Sequence, residues 1–277
     1  MSVGADTRVE RTGTNSFMAL LGSGEFEPWT EEVDRWLLER ASGDGSVLIL
    51  PLASAPEGDE VFDRWARMGL GHYERLGVPA EVLPMKTRGD ADRADLAGRL
   101  ETPSMVYLSG GNPAYLSSVL SGSRFWEELL RAMERGLAYA GCSAGVACLG
   151  DVVPDSTVLD FSSADMWKRG LGFFPKVFLG PHWDAMNTYV PGLQDLFISA
   201  VPPGNRLLAI DERTAVVGNG TEWRVMGNGG ASLLDDGSWL NFPSGQSFSA
   251  TFHAAPSASS SSRSTSALRE PNGAASR

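Results

Sequence analysis

Histidine and cysteine are scarce in this chain, with three of the first and two of the second among 277 residues. Cys142 and Cys148 lie too close in sequence to suggest a disulfide framework, and nothing nearby completes a metal-ligand set. Neither a metal nor an organic cofactor is expected. With only His72, His182 and His253 to choose from, any chemistry that needs a base near neutral pH has few candidates. Basic residues are also in deficit, 23 Lys+Arg against 34 Asp+Glu, for a net charge of −11. That argues against nucleic acid as a partner, because such binders neutralise phosphates with Lys and Arg. No apolar run approaches the ~20 residues that span a bilayer, and the polar stretch Met1 to Asn15 lacks the apolar core of a secretion signal. Together these absences predict a soluble, cytoplasmic protein with no membrane partner. They leave monomer and homodimer both open.

What is present has the organisation of one globular unit. The leader over residues 1–14 is polar, and from Ala254 to Arg277 the chain is small, polar and Ser/Ala-rich. Such compositions bury too little apolar surface to offset the entropy of ordering, so both ends read as disordered around a single domain at 15–253. Within that domain short apolar runs alternate with amphipathic stretches. Phe17 to Leu21, Ser46 to Pro51, Ala80 to Pro84, Met105 to Leu108 and Leu137 to Ala140 read as strands. Glu31 to Arg40, Glu60 to Leu76, Ala114 to Leu120 and Phe125 to Arg135 read as helices. Apolar strands alternating with amphipathic helices predict an α/β fold, a three-layer sandwich whose mostly parallel sheet carries helices on both faces. After Arg206 the pattern changes to short strands separated by Gly, Asn and Asp, which predicts antiparallel hairpins at the end of the sheet.

The chemistry concentrates at Gly141-Cys-Ser-Ala-Gly145, between the strand ending at Ala140 and a small-residue stretch able to start a helix. A serine held in a sharp strand-to-helix turn exposes its oxygen, and glycines on either side give the turn room. The Ala144 N–H then faces the pocket as a donor for developing negative charge. Gly110-Gly111-Asn112, at the end of the preceding strand, can offer a second bare N–H, since ligands of open α/β sheets bind at strand ends. His182 follows another apolar strand and its turn, where a base for Ser143 would stand; His72 and His253 read as surface or packing residues. A third group, an acid that orients the imidazole, is sought between the serine and the histidine. Asp160, in the extended segment Val158 to Phe161, ranks first and Asp165 second.

The blocks Gly110-Gly-Asn112, Gly141-Cys-Ser-Ala-Gly145 and Gly170-Leu-Gly-Phe-Phe-Pro175 leading to Gly180-Pro-His182 resemble the dipeptidase E and cyanophycinase family of serine peptidases. The similarity runs from about Phe17 to Leu234 and includes Ala209-Ile-Asp-Glu-Arg-Thr-Ala215. It implies a class I glutamine amidotransferase-like fold, Ser143 as nucleophile, His182 as base, Gly111 and Ala144 as oxyanion-hole donors, and an acid near Asp160. Cyanophycinases carry arginines just after the histidine, whereas Trp183-Asp-Ala-Met-Asn-Thr188 has none. The expected activity is therefore hydrolysis of short peptides or amides in the manner of dipeptidase E. Two other readings stand beside it: a non-catalytic binding protein of the same fold, and a thiol amidotransferase-like enzyme using Cys142.

Overall fold

The computed structural model describes residues 16–158, 160 and 163–252. The leader and nearly all of the Ser/Ala-rich tail, with His253, lie outside the described residues. Among the described residues fourteen strands occur: β1 Met18–Leu21, β2 Val47–Leu50, β3 Ala80–Val82, β4 Met105–Leu108, β5 Ala138–Cys142, β6 Val152–Pro154, β7 Trp167–Arg169, β8 Val177–Gly180, β9 Arg206–Ile210, β10 Thr214–Gly218, β11 Glu222–Gly227, β12 Gly230–Asp235, β13 Ser238–Pro243 and β14 Ser247–Ser249. Eight form the main sheet, in the order β14-β11-β10-β1-β5-β4-β2-β3. It is parallel from β1 to β3 and antiparallel across β1, β10, β11 and β14.

The main sheet is covered on both faces, which is why β1, β2, β4 and β5 are apolar at every position rather than alternating. Successive side chains point to opposite faces. Ala19, Leu21, Val47, Ile49, Tyr107 and Ala140 pack with Val33, Leu37, Tyr73 and Leu76, from helices Glu31–Leu38 and Asp59–Leu76. Met18, Leu20, Leu48, Val106, Leu108 and Tyr139 pack on the other side with Leu116, Val119, Phe125 and Leu129, from helices Pro113–Leu120 and Arg124–Glu134.

The C-terminal strands do more than extend the sheet's end. β8, β9, β12 and β13 form a separate sheet in the order β13-β12-β9-β8, and its Leu179, Leu208, Ile210, Ala231 and Leu233 complete the second face's core. β9 pairs in parallel with β8, yet the next strand, β10, pairs with β1 of the main sheet. The chain crosses between sheets over Asp211-Glu212-Arg213. Arg213 bends that crossing with φ of 49°.

His72 is not a surface residue. It is fully buried, its Nε2 lying 2.7 Å from Asp34 Oδ2, on the face away from the small sheet. Burial pushes the Asp34 carboxyl up, against the opposing bond and charge of His72.

Phe252 ends the described chain inside the core, 1% exposed, with ring centroids 5.5 Å from Trp223 and 5.8 Å from Phe174. Phe252→Ala should cost about 3–5 kcal/mol. At ~2–4 °C per kcal/mol for a domain of this size, Tm drops by roughly 6–20 °C. A thermal melt within a degree of the parent would show that the core closes without this ring.

Candidate active site

Parallel pairing brings the ends of β1, β4 and β5 to one edge. β1 and β5 pair with Leu21 opposite Cys142, and β4 and β5 pair with Leu108 opposite Gly141. Ser143 therefore emerges beside the Gly110-Gly111 loop. Its backbone is strained, with φ 52° and ψ −106°, a conformation that persists only where its surroundings enforce it. The enforcement is visible. Ser143 N–H donates to Leu21 O at 3.0 Å, and both flanking glycines are obligatory. A Cβ on Gly141 would lie 2.4 Å from Gly145 O, and one on Gly145 would lie 2.4 Å from Leu108 O. Ala144 opens the helix Ala144–Ala147, so its N–H has no intrahelical acceptor. Gly111 has φ of 141°, and a Cβ there would strike the Ala53 backbone at 2.3 Å; Asn112 N–H fastens the loop by donating to Ala53 O at 2.8 Å.

The small sheet supplies the other half. β8 pairs with β9 so that Gly180 is opposite Ala209. His182, just beyond the first, and Glu212, just beyond the second, are thereby neighbours. His182 adopts a left-handed conformation, φ 58° and ψ 30°. Its Nε2 is 2.9 Å from Ser143 Oγ and its Nδ1 is 2.9 Å from Glu212 Oε1. Asp184 holds the crossing in place, its Oδ1 accepting from Glu212 N–H at 2.7 Å.

The acid beside the imidazole is thus Glu212. Asp160 and Asp165, the expected candidates, are both exposed on the segment around β7, and neither is the partner of His182 Nδ1. Glu212 lies after the histidine in the chain, just past the end of the next strand, β9, outside the interval between serine and histidine. Because β8 and β9 are adjacent and parallel, their ends arrive together, and a carboxylate at the end of the next apolar run was the signal available. Glu212 also accepts a hydrogen bond from the Tyr189 hydroxyl, which, with some burial, pushes the Tyr189 phenol up to about 12. Burial raises the Glu212 carboxyl, but the bonds from Tyr189 and His182 and the charges of His182 and Arg213 outweigh it. The net effect holds Glu212 below the ordinary carboxylate range.

Cys142 sits one position before Ser143, and its thiol is fully buried with Sγ 3.0 Å from Glu25 Oε2. Burial first, and then the charge of Glu25, push that thiol well up. A buried thiol that resists ionisation is a poor nucleophile, which removes the basis of the thiol reading. Among the described residues no group of three or more His, Cys, Asp or Glu could hold a metal, and no helix is long and apolar enough to cross a membrane.

An α/β sheet that presents a strained serine within reach of a histidine–carboxylate pair defines a serine hydrolase. The profile of peptidase family S51 matches residues 18–226, and the chain belongs to that family. It is 26% identical to the cyanophycinase of Trichormus variabilis (strain ATCC 29413 / PCC 7937) over 237 residues, covering 80% of this chain and 74% of that protein. To the cyanophycinase of Synechococcus elongatus it is 25% identical over 254 residues, covering 85% and 74%. Among solved structures, a peptidase from an acI-B1 actinobacterium superposes with a TM-score of 0.77 at 28% identity, covering 85% of this chain and 97% of that one. A putative peptidase E protein from Listeria monocytogenes EGD-e shares the fold, with a TM-score of 0.54 at 18% identity over 77% and 98% of the two chains.

Proposed function

We propose that the protein hydrolyses short peptides, in the manner of dipeptidase E rather than cyanophycinase, through an acyl-enzyme on Ser143. The observation that carries this reading is His182 standing 2.9 Å from both Ser143 Oγ and Glu212 Oε1. In the first half-reaction His182 Nε2 takes the Ser143 proton as Oγ bonds to the scissile carbonyl carbon. The carbonyl oxygen becomes an oxyanion held by the N–H groups of Gly111 and Ala144. His182 then returns the proton to the departing amine as the C–N bond breaks. Water, deprotonated by the same nitrogen, attacks the ester, and the acid product leaves Ser143 reprotonated. Glu212 fixes the imidazole and stabilises its cationic form.

Two features support a short-peptide substrate. The segment 183–188 after the histidine carries no arginine. From Asn112 a groove of ≈ 530 Å³ runs along helix Pro113–Leu120, lined by Pro56, Tyr115, Ser117 and Thr157 and by the charged Asp155, Lys168 and Arg169, within the ordinary size of small-ligand sites. The free, buried state of Cys142 and Cys148 suits the reducing cytoplasm inferred from composition. The test is a panel of dipeptides and tripeptides set against cyanophycin, together with a fluorophosphonate probe whose adduct is located by mass spectrometry. Release of amino acids from short peptides and an adduct on Ser143 are expected. Cleavage of the polymer alone would replace the dipeptidase reading. A protein that neither turns over nor labels, yet binds peptide, would be the non-catalytic member.

Because Glu212 is held below the ordinary carboxylate range, it stays ionised throughout the neutral region. We therefore expect Glu212 to add no protonation step to kcat/KM across the neutral region, so that the acid limb has the slope of a single proton. A two-proton slope on the acid side would contradict this assignment.

A further inference from the structure

We propose that Glu25, a residue without a part in the reaction just described, is a positioning residue that clamps the oxyanion loop to the nucleophile turn. The proposal rests on Ser143 and the Gly111 N–H having the roles given above. Glu25 lies just beyond β1, the neighbour of β5, and is 5% exposed. One carboxylate oxygen, Oε1, accepts the Gly110 N–H at 2.7 Å. The other, Oε2, is 3.0 Å from the Cys142 thiol. Gly110 and Cys142 are each the residue immediately before a working one: Gly111, which offers an N–H, and Ser143, which offers Oγ. One side chain thus ties together the two segments whose separation sets the distance from attacking oxygen to oxyanion donor. The segments are already close, since a Cβ on Gly110 would lie 2.9 Å from Glu25 Oε1 and 3.5 Å from Ser143 Cβ.

The choice of residue follows from the donors. An ionised carboxylate is acceptor-only, so it can face a backbone N–H with one oxygen and an S–H with the other, whereas an amide turns an N–H toward one of them. Burying a carboxylate among neutral donors is costly, and the local backbone carries strain as well. Gly24 and Phe26 on either side have φ of 72° and 65°, the latter unusual for an aromatic residue. That strain is over-determined by packing. Phe26 is 4% exposed, with its ring 4.6 Å from Tyr107, and Trp29 Nε1 donates to Gly24 O at 3.0 Å. Cys142 has a use as well: its thiol is a donor to the clamp.

The experiment compares the intact protein with Glu25→Ala, Glu25→Gln and Cys142→Ala, with active sites counted by fluorophosphonate titration. Loss of an oxyanion donor typically costs ~10²–10³ in kcat, and a clamp that only misplaces one belongs at the lower end. Glu25→Ala is expected to lower kcat per titrated site on the order of 10²-fold with KM within about threefold. Glu25→Gln keeps an oxygen for Gly110 N–H and should recover to within about tenfold of the parent. Cys142→Ala should lower kcat by about threefold and add little in the Glu25→Ala background, because both act through one side chain. If Glu25→Ala does not fold, the Gln and Cys142 variants decide the matter by the same criteria. Unchanged kcat per site with only a lower Tm overturns the clamp and leaves the proposed reaction standing. An unaltered protein that does not label and does not turn over overturns both.

Discussion

Glu212→Gln should reduce kcat/KM by about 10⁴, the scale seen when a triad acid is replaced by its amide and the imidazole is left in the wrong tautomer. The geometry gives the reason. Glu212 Oε1 accepts from His182 Nδ1 at 2.9 Å, which places the lone pair of Nε2 toward Ser143 Oγ. A glutamine can present its amide N–H instead, and the imidazole then turns its own proton toward the serine it should deprotonate. Asp160→Asn, at an exposed position, should leave kcat/KM within about twofold, as surface changes usually do. Peptide hydrolysis across the pH range measures both. Equal, small losses in the two variants would mean that His182 works without a carboxylate partner.

Ser143→Ala should abolish turnover and eliminate the fluorophosphonate adduct while leaving the melting temperature near that of the parent. Triad serines removed in this way cost on the order of 10⁶ in kcat. The side chain contributes only Oγ at a position whose backbone is held by neighbours. The Leu21 carbonyl, the close approach of Gly141 and Gly145, and the packed strand β5 all remain in the alanine variant. Its φ of 52° is costly for either residue, so the change should be small in stability and very large in rate. Retained activity in Ser143→Ala would remove the nucleophile from the mechanism.

The parallel half of the sheet was legible because its information is local. Four consecutive buried residues in β1, β2 and β4, each bounded by turn formers, can form little other than doubly covered strands. The Gly141 to Gly145 turn was equally readable, since both glycines answer contacts that no larger residue permits. What escaped was whatever depends on which strands meet. β9 and β10 are separated by a few residues in sequence and read as a hairpin, yet they belong to different sheets. Their apolar runs fit either arrangement, and only the shared core with helices Pro113–Leu120 and Arg124–Glu134 decides it. Missing that crossing meant missing Glu212, which lies on it, and favouring Asp160 on the strength of order along the chain. Of the two places open to His72, surface or packing, the structure shows packing, and its pairing is non-local in the same way. Its partner Asp34 lies on another helix, and a hydrogen bond between residues far apart in sequence leaves no trace in local periodicity. Glu25 was invisible in the same way, since its partners come from the ends of two other strands.

The crossing at Asp211-Glu212-Arg213 also divides the labour of the site between two bodies. Ser143 and Gly111 stand on the main sheet, while His182 and Glu212 stand on the small one. Each body is internally complete: the elbow is strained into shape without the histidine, and the histidine is paired with its carboxylate without the serine. They are joined by the chain crossings between the sheets, by bonds such as Gly229 N–H to Thr214 Oγ1 at 2.9 Å, and by the apolar seam where Leu179, Leu208 and Leu233 meet the main sheet's second face. Within the site itself the link is the 2.9 Å contact of His182 Nε2 with Ser143 Oγ. The register between the sheets therefore acts as the ignition of the enzyme. A slip of an ångström along that seam disconnects base from nucleophile while every hydrogen bond within either sheet survives. Activity is a more sensitive gauge of the seam than any measure of secondary structure, and substitutions far from the pocket that loosen it would silence the chemistry before they unfold the chain.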